Sequence, residues 1–196
     1  MRIRLTTIAA LTLLLSGITA CSTEPVPPSP TPSVARPPSV AFPSRPREVR
    51  VDGIDPCTLV TSGLLAELGV GTEQRRRKPN TVQTSASSCE WSDTSARPIL
   101  TLEVWVVPDR PVTDYIAEEG AEVTTVAGFP ALDSESGGFD PDEACMVRVD
   151  VAAGQGIWAG LTSEYGKLPG ASHELMCRKA HVAAEGVMRA LLARTG

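Results

Sequence analysis

Cys21 stands directly after Ile18-Thr19-Ala20, at the end of a short apolar run, and a thiol so placed has a specific chemistry. Its sulfur takes up a diacylglyceryl group, and cleavage in front of it then exposes its amine. The flanks suit that chemistry. Arg2 and Arg4 make a positive start, and Ile8-Ala9-Ala10-Leu11-Thr12-Leu13-Leu14-Leu15 follows as an apolar core. That core is too short to span a bilayer, which takes ~20 apolar residues. Gly17, Thr19 and Ala20 are small, as a peptidase cutting nearby requires. Residues 1–20 are expected to be a lipoprotein signal peptide and Cys21 the lipidated residue; an ordinary secretory peptide with an incidental cysteine is the alternative. Two or more acyl chains, at ~0.8 kcal/mol per buried methylene, hold stably where one holds marginally. The expected location is the outer face of the cell membrane, with the membrane a partner through the lipid on Cys21.

The other four cysteines are Cys57, Cys89, Cys145 and Cys177. An even number in an exported chain reads as two disulfides, because the compartment is oxidising. Three pairings exist. Cys57 and Cys89 are 32 residues apart, as are Cys145 and Cys177, which slightly favours the sequential pairing. The nested pairing, Cys57–Cys177 with Cys89–Cys145, would join the first helix to the last and two strands to each other. A four-thiol metal site would need a close Cys-x-x-Cys pair, which the sequence lacks.

Other chemistry is sparse. His173, Cys177, His181 and Glu185 recur at steps of four, so they share one stripe of a helix. The histidines are eight apart, about 12 Å along the axis, and share an ion only if Cys177 bridges them as a thiolate. A disulfide removes that thiolate, so no metal is expected. Asp133, Glu135, Asp140, Asp142 and Glu143 form an acidic loop whose spacing fits no calcium-binding helix–loop–helix. No serine nucleophile motif, glycine-rich phosphate loop or paired-carboxylate signature stands out, and no cofactor is expected. Trp105 and Glu103 fall on the outer face of a strand, with Arg148 and Asp150 on that face of a neighbour and Trp158 beside them. Trp105, Arg148 and Trp158 therefore make a possible binding face. The preferred alternative is that a helix or loop covers them as second-layer core.

The elements that must position these groups follow from periodicity. Residues 21–50 read as a tether: prolines at 25, 27, 28, 30, 32, 37, 38, 43 and 46 exclude helix and central strand. At ~3.1 Å per residue it reaches roughly 90 Å when extended. Residues 51–196 read as one domain. Asp55-Pro56 and Thr61 are helix starts, and Gly69 stops a short helix carrying Leu64, Leu65 and Leu68. Residues 70–88 read as loop. Cys89-Glu90-Trp91 begins the sheet, and Ile99–Val107 alternates with Leu100, Leu102, Val104 and Val106 inward. A short helix from Pro111 to Glu119 with Tyr115 and Ile116 inward, a strand over Val123–Val126 and a turn over Gly128–Ala131 follow. Cys145–Val151, with Cys145, Val147, Val149 and Val151 inward, pairs with Gly156–Thr162. Ser172 caps a long helix to about Ala193, buried through Met176, Ala180, Ala183, Val187 and Leu191. The expected class is α+β, a mainly antiparallel sheet of four or five strands with a short N-terminal and a long C-terminal helix, stapled by two disulfides.

Removing residues 1–20 moves the formal charge from −5 to −7, because Arg2 and Arg4 are lost. That balance gives no footprint for nucleic acid. Arg75-Arg76-Arg77-Lys78 is the one basic run, read as a solvated loop or a dock for anionic headgroups or an acidic partner.

Several of these residues also resemble a known family. Asp55-Pro56-Cys57, Leu59-Val60-Thr61 and Leu64 to Gly69 resemble its "DPC-x-LL-T…LG" opening. Cys89-Glu90-Trp91, Val126-Ala127-Gly128-Phe129-Pro130-Ala131, Cys145-Met146-Val147 and Cys177-Arg178-Lys179-Ala180 resemble its "C-x-W", "V-x-G-x-x-A", "C-x-V" and "C-x-x-A" motifs. With the leader and tether, this is similar to the actinobacterial lipoproteins catalogued as domain of unknown function 3558. The resemblance implies an exported, disulfide-containing lipoprotein and no activity. The expected function is a membrane-anchored binding or interaction module of the cell envelope, with an envelope protein or small ligand as partner. The alternatives are a carrier of a lipid or small apolar ligand, and an envelope hydrolase.

Overall fold

The computed structural model describes residues 42–77, 85–118, 120–135 and 139–195. The expected signal peptide, Cys21 and the expected tether as far as residue 41 lie outside them. Seven strands form one antiparallel sheet: β1 (Glu73–Arg77), β2 (Ser87–Ser92), β3 (Ile99–Val107), β4 (Glu122–Val126), β5 (Phe129–Ser134), β6 (Ala144–Ala152) and β7 (Gln155–Glu164). Their order across the sheet is β1-β2-β3-β7-β6-β5-β4, so two meanders meet where β3 pairs with β7.

Seven strands replace the expected four or five, and the difference lies in β1 and β5. All five residues of β1, Glu-Gln-Arg-Arg-Arg, are exposed on an edge, so no apolar alternation marks them. The basic run is therefore an edge strand, as far as Arg77, and not a loop; Lys78 lies outside the described residues. In β5, Phe129-Pro130-Ala131 was expected as turn. Only Ala127 and Gly128 turn, with Gly128 at φ +81°, and the strand starts at Phe129. Pro130 opposes Thr125 of β4 and precedes Ala131, the first β5 residue in register with β6.

Alternation decides the faces. Leu100, Leu102, Val104 and Val106 point to the same side as Cys145, Val147, Val149 and Val151, and all are buried. On that side lie the 3-10 turn Pro56–Thr58, α1 (Ser62–Leu68) and α2 (His173–Thr195), with α2 packed along β6 and β7. α1 starts where Thr61 Oγ1 accepts the Leu64 N–H at 3.2 Å and ends on Gly69 at φ +72°. α2 starts where Ser172 Oγ accepts the Leu175 N–H at 3.2 Å, and its stripe of Met176, Ala180, Ala183, Ala184, Val187, Met188 and Leu191 is fully buried. Cys57 is bonded to Cys89, fixing the 3-10 turn to β2, and Cys145 to Cys177, fixing β6 to α2.

The fold also takes in residues upstream of Val51. Val49 is 2% exposed and its N–H donates to Val151 O at 2.8 Å, while Arg45 pairs with Asp150. Phe42 and the 3-10 turn Val112–Tyr115 cover part of the other sheet face, over a smaller core of Val107, Val112, Tyr115, Leu132 and Trp158.

Candidate functional site

Two places gather side chains able to recognise a ligand, one on each face of the sheet. On the α2 face, the alternation Phe129, Ala131, Asp133 of β5 aims Asp133 at the helix, while Leu132 belongs to the core of the other face. α2 brings His173, Cys177 and His181 past it on one stripe, each step rising about 6 Å. Between them opens a cleft of about 490 Å³, walled by Gly120, Glu122 and Asp133 on the sheet side and His173, Cys177, His181 and Val182 on the helix side. That volume suits a small molecule.

At one end of this cleft His181 Nε2 lies 2.7 Å from Asp133 Oδ2. The hydrogen bond to that carboxylate raises the His181 pKa, against a smaller opposing effect of burial. Asp133 Oδ1 is buried with no hydrogen-bond partner among the described residues. Farther along, His173 Nε2 sits 3.5 Å from Cys177 Sγ, whose sulfur is shared with Cys145 and offers no thiolate. The histidine stripe thus faces a carboxylate and a disulfide. The acidic stretch makes its own surface contacts: Asp140 and Asp142 pair with Lys167 at 3.0 and 3.2 Å, and Asp142 accepts the His173 N–H.

On the other face, Trp105, Trp158 and Arg148 stand in one row, Trp105 opposite Trp158 and Trp158 opposite Arg148. The indole centroids are 6.3 Å apart, and Tyr115 meets Trp158 edge-on at 5.1 Å. The Arg148 guanidinium lies 4.3 Å from the Tyr115 ring centroid and 5.4 Å from that of Trp158. The three expected residues are together, but not as an exposed patch. Trp158 is 4% and Arg148 9% exposed, because Val112–Tyr115 lies over them as the covering segment. Asp150, expected beside them, is 4% exposed and held by Arg45. Burial lowers the Arg148 pKa, with the Glu118 carboxylate at 3.0 Å opposing that shift.

The same face continues as a polar hollow of about 430 Å³ whose lining includes Glu90, Glu103, Met146, Arg148, Gly160 and Glu164. Arg77 reaches in from β1, donating from Nε to Glu90 Oε2 at 2.7 Å. Arg76 is held by both oxygens of Asp55, at 2.6 and 2.8 Å. Sequence reasoning did not single out Asp133 as a partner of His181, nor Gly160 and Ser134. The available signal was the period-two pattern of 129–134, which Pro130 and Gly128 obscure.

A family model described as "Protein of unknown function (DUF3558)" matches residues 16–189 of the chain. No curated protein and no solved structure gives a match.

Proposed function

The chain belongs to the protein family of unknown function DUF3558, and from that footing we propose that it is a lipid-anchored binding module of the cell envelope. It is cut before Cys21, held to the outer face of the membrane by acyl chains on that cysteine, and presents a disulfide-stapled domain at the end of a proline-rich tether. The leader, the small residues before Cys21 and the proline spacing support the anchor. Two disulfides between half-buried and fully buried sulfurs accord with an oxidising compartment.

The binding role rests on one observation, the cleft between α2 and β4–β5. Most of its wall surface is carbon, although Glu122, Glu174 and Arg178 also line it, and one end carries the His181–Asp133 pair with a carboxylate oxygen still without a donor. A ligand with an apolar body and one N–H or O–H aimed at Asp133 complements it. The carrier of a small apolar ligand is the second reading, favoured by the same carbon surface. Hydrolysis by Cys177 is disfavoured by its bond to Cys145.

Native mass spectrometry of the protein extracted from membranes tests both parts. The expected result is a chain beginning at an acylated Cys21 and a non-covalent small-molecule adduct that Val182→Trp, which puts an indole into the cleft, removes or weakens. A Cys21→Ser variant is expected to persist as unprocessed precursor. Normal cutting and membrane retention of that variant sinks the anchor. An adduct untouched by Val182→Trp sinks the cleft.

A further inference from the structure

We propose that the hollow on the sheet face opposite α2 binds a small zwitterion, a free amino acid or short unblocked peptide, with its carboxylate on Arg148 and its ammonium on Glu103. The register makes the hollow. Gly160 of β7 stands opposite Glu103 of β3 on one side and Met146 of β6 on the other. With no side chain at Gly160, the floor is β7 backbone under the tip of Met146. A Cβ there would come within 2.6 Å of Met146 Cε.

One end of the hollow holds a guanidinium with one N–H short of an acceptor. The Arg148 side chain is 11% exposed; its Nη1 serves Ser134 and Glu118, and its Nε has no partner among the described residues. A buried guanidinium N–H without an acceptor is costly, and the Nε–Nη2 edge has the fork geometry that receives a carboxylate. The other end carries excess negative charge. Glu90 and Glu103 are directly opposite in register, an arrangement that like charges disfavour. Arg77 answers Glu90 closely but lies 3.9 Å from Glu103, whose Oε1 takes the Ser88 hydroxyl at 2.9 Å. Burial raises the Glu103 pKa, against the Ser88 hydrogen bond, the Arg77 charge and a Trp105 hydrogen bond, with the Glu90 charge adding to the rise. Glu164 lines the same end.

Two strand spacings and a two-residue offset set the Arg148 and Glu103 Cα atoms about 12 Å apart. The Arg148 guanidinium bonds outward to Ser134 of β5 and the Glu103 carboxylate outward to Ser88 of β2, which leaves the gap over Gly160 open to one or two residues of ligand at ~3.5 Å each. Opposite charges at the ends fit a zwitterion. A dicarboxylate would meet Glu103 and Glu164, and a diamine would meet Arg148. Phe139, 41% exposed at the rim, offers an apolar contact to a ligand side chain.

The test is titration of the full chain with free amino acids, alanyl-alanine, and the N-acetyl and C-amide forms of that dipeptide. Tryptophan fluorescence, which Trp158 beneath Arg148 makes responsive, and calorimetry read the binding. A zwitterionic member should bind saturably, with each blocked form at least about tenfold weaker. Glu103→Gln should weaken the unblocked dipeptide by a similar factor and leave the N-acetyl form unchanged, with an unaltered melting curve as the folding control. Gly160→Ala, which displaces Met146, should abolish binding. Equal binding of blocked and unblocked forms, binding of neutral oligosaccharides only, or no saturable signal to about 10 mM overturns the proposal.

Discussion

His181 and Asp133 illustrate how much one contact depends on pH. The carboxylate raises the folded-state pKa of His181 above its unfolded value of about 6.5. The ion pair's contribution to stability is therefore fully present below that value and is lost as pH rises through the raised folded pKa. Both side chains keep some solvent contact, 28% and 19%, so the pair is screened. Asp133→Asn should cost roughly 0.5–1 kcal/mol at about pH 5.5 and distinctly less at about pH 8.5. Thermal melts at the two pH values check this, and a cost that grows with pH would contradict it. Neither partner was legible as half of a pair. His181 was placed on its helical stripe, but Asp133 read as part of an acidic loop, because only the β5 register turns it toward α2. Arg148, Trp158 and Trp105 were legible as neighbours, since alternation alone assigns their face. Their burial was not, because the segments covering them, around Phe42 and Val112–Tyr115, carry no periodic signal.

At the level of elements, the strongly patterned ones were legible and the weakly patterned ones were not. β3, β6, β7 and α2 announce themselves by alternation or by an apolar stripe, and caps mark both ends of α1 at Thr61 and Gly69 and the start of α2 at Ser172. β1 has no buried residue to create a pattern, and β5 has its pattern interrupted by Pro130. The approach of α1 to α2 was also hidden, because it depends on a missing side chain. Gly186 sits where a Cβ would lie 2.6 Å from Leu64 Cδ2 and 2.9 Å from Cδ1. Gly186→Ala gains ~1 kcal/mol of helix propensity but overpacks a buried leucine at ~1–3 kcal/mol, so a net loss of about 1 kcal/mol is expected. Leu64→Ala should then cost about 1 kcal/mol less in the Gly186→Ala background than alone, as a chemical-denaturation cycle can measure. Additive losses would mean that the helices move apart instead.

For the molecule as a whole, charge and cross-links set the behaviour. On the proposed cut before Cys21 the formal charge is −7, and two arginines of the one basic run are engaged by Asp55 and Glu90. The unlipidated protein is expected to stay off vesicles of three parts phosphatidylcholine to one part phosphatidylglycerol near physiological salt. Co-sedimentation with them would restore the basic run as a membrane dock. Losing Cys145–Cys177 through a Cys145→Ser, Cys177→Ser double variant should lower stability by ~2–4 kcal/mol and speed amide exchange first over the start of α2. The two cross-links have a temporal side too. Each joins cysteines that follow one another along the chain, Cys57 to Cys89 and then Cys145 to Cys177. In a chain entering an oxidising space from its N-terminus, Cys89 meets a single earlier candidate among these four, so that bridge closes first wherever oxidation keeps pace with entry. Under that condition the order of emergence selects the native pairing. A simple oxidant therefore suffices where a nested arrangement would have required wrong bonds to be made, recognised and reshuffled.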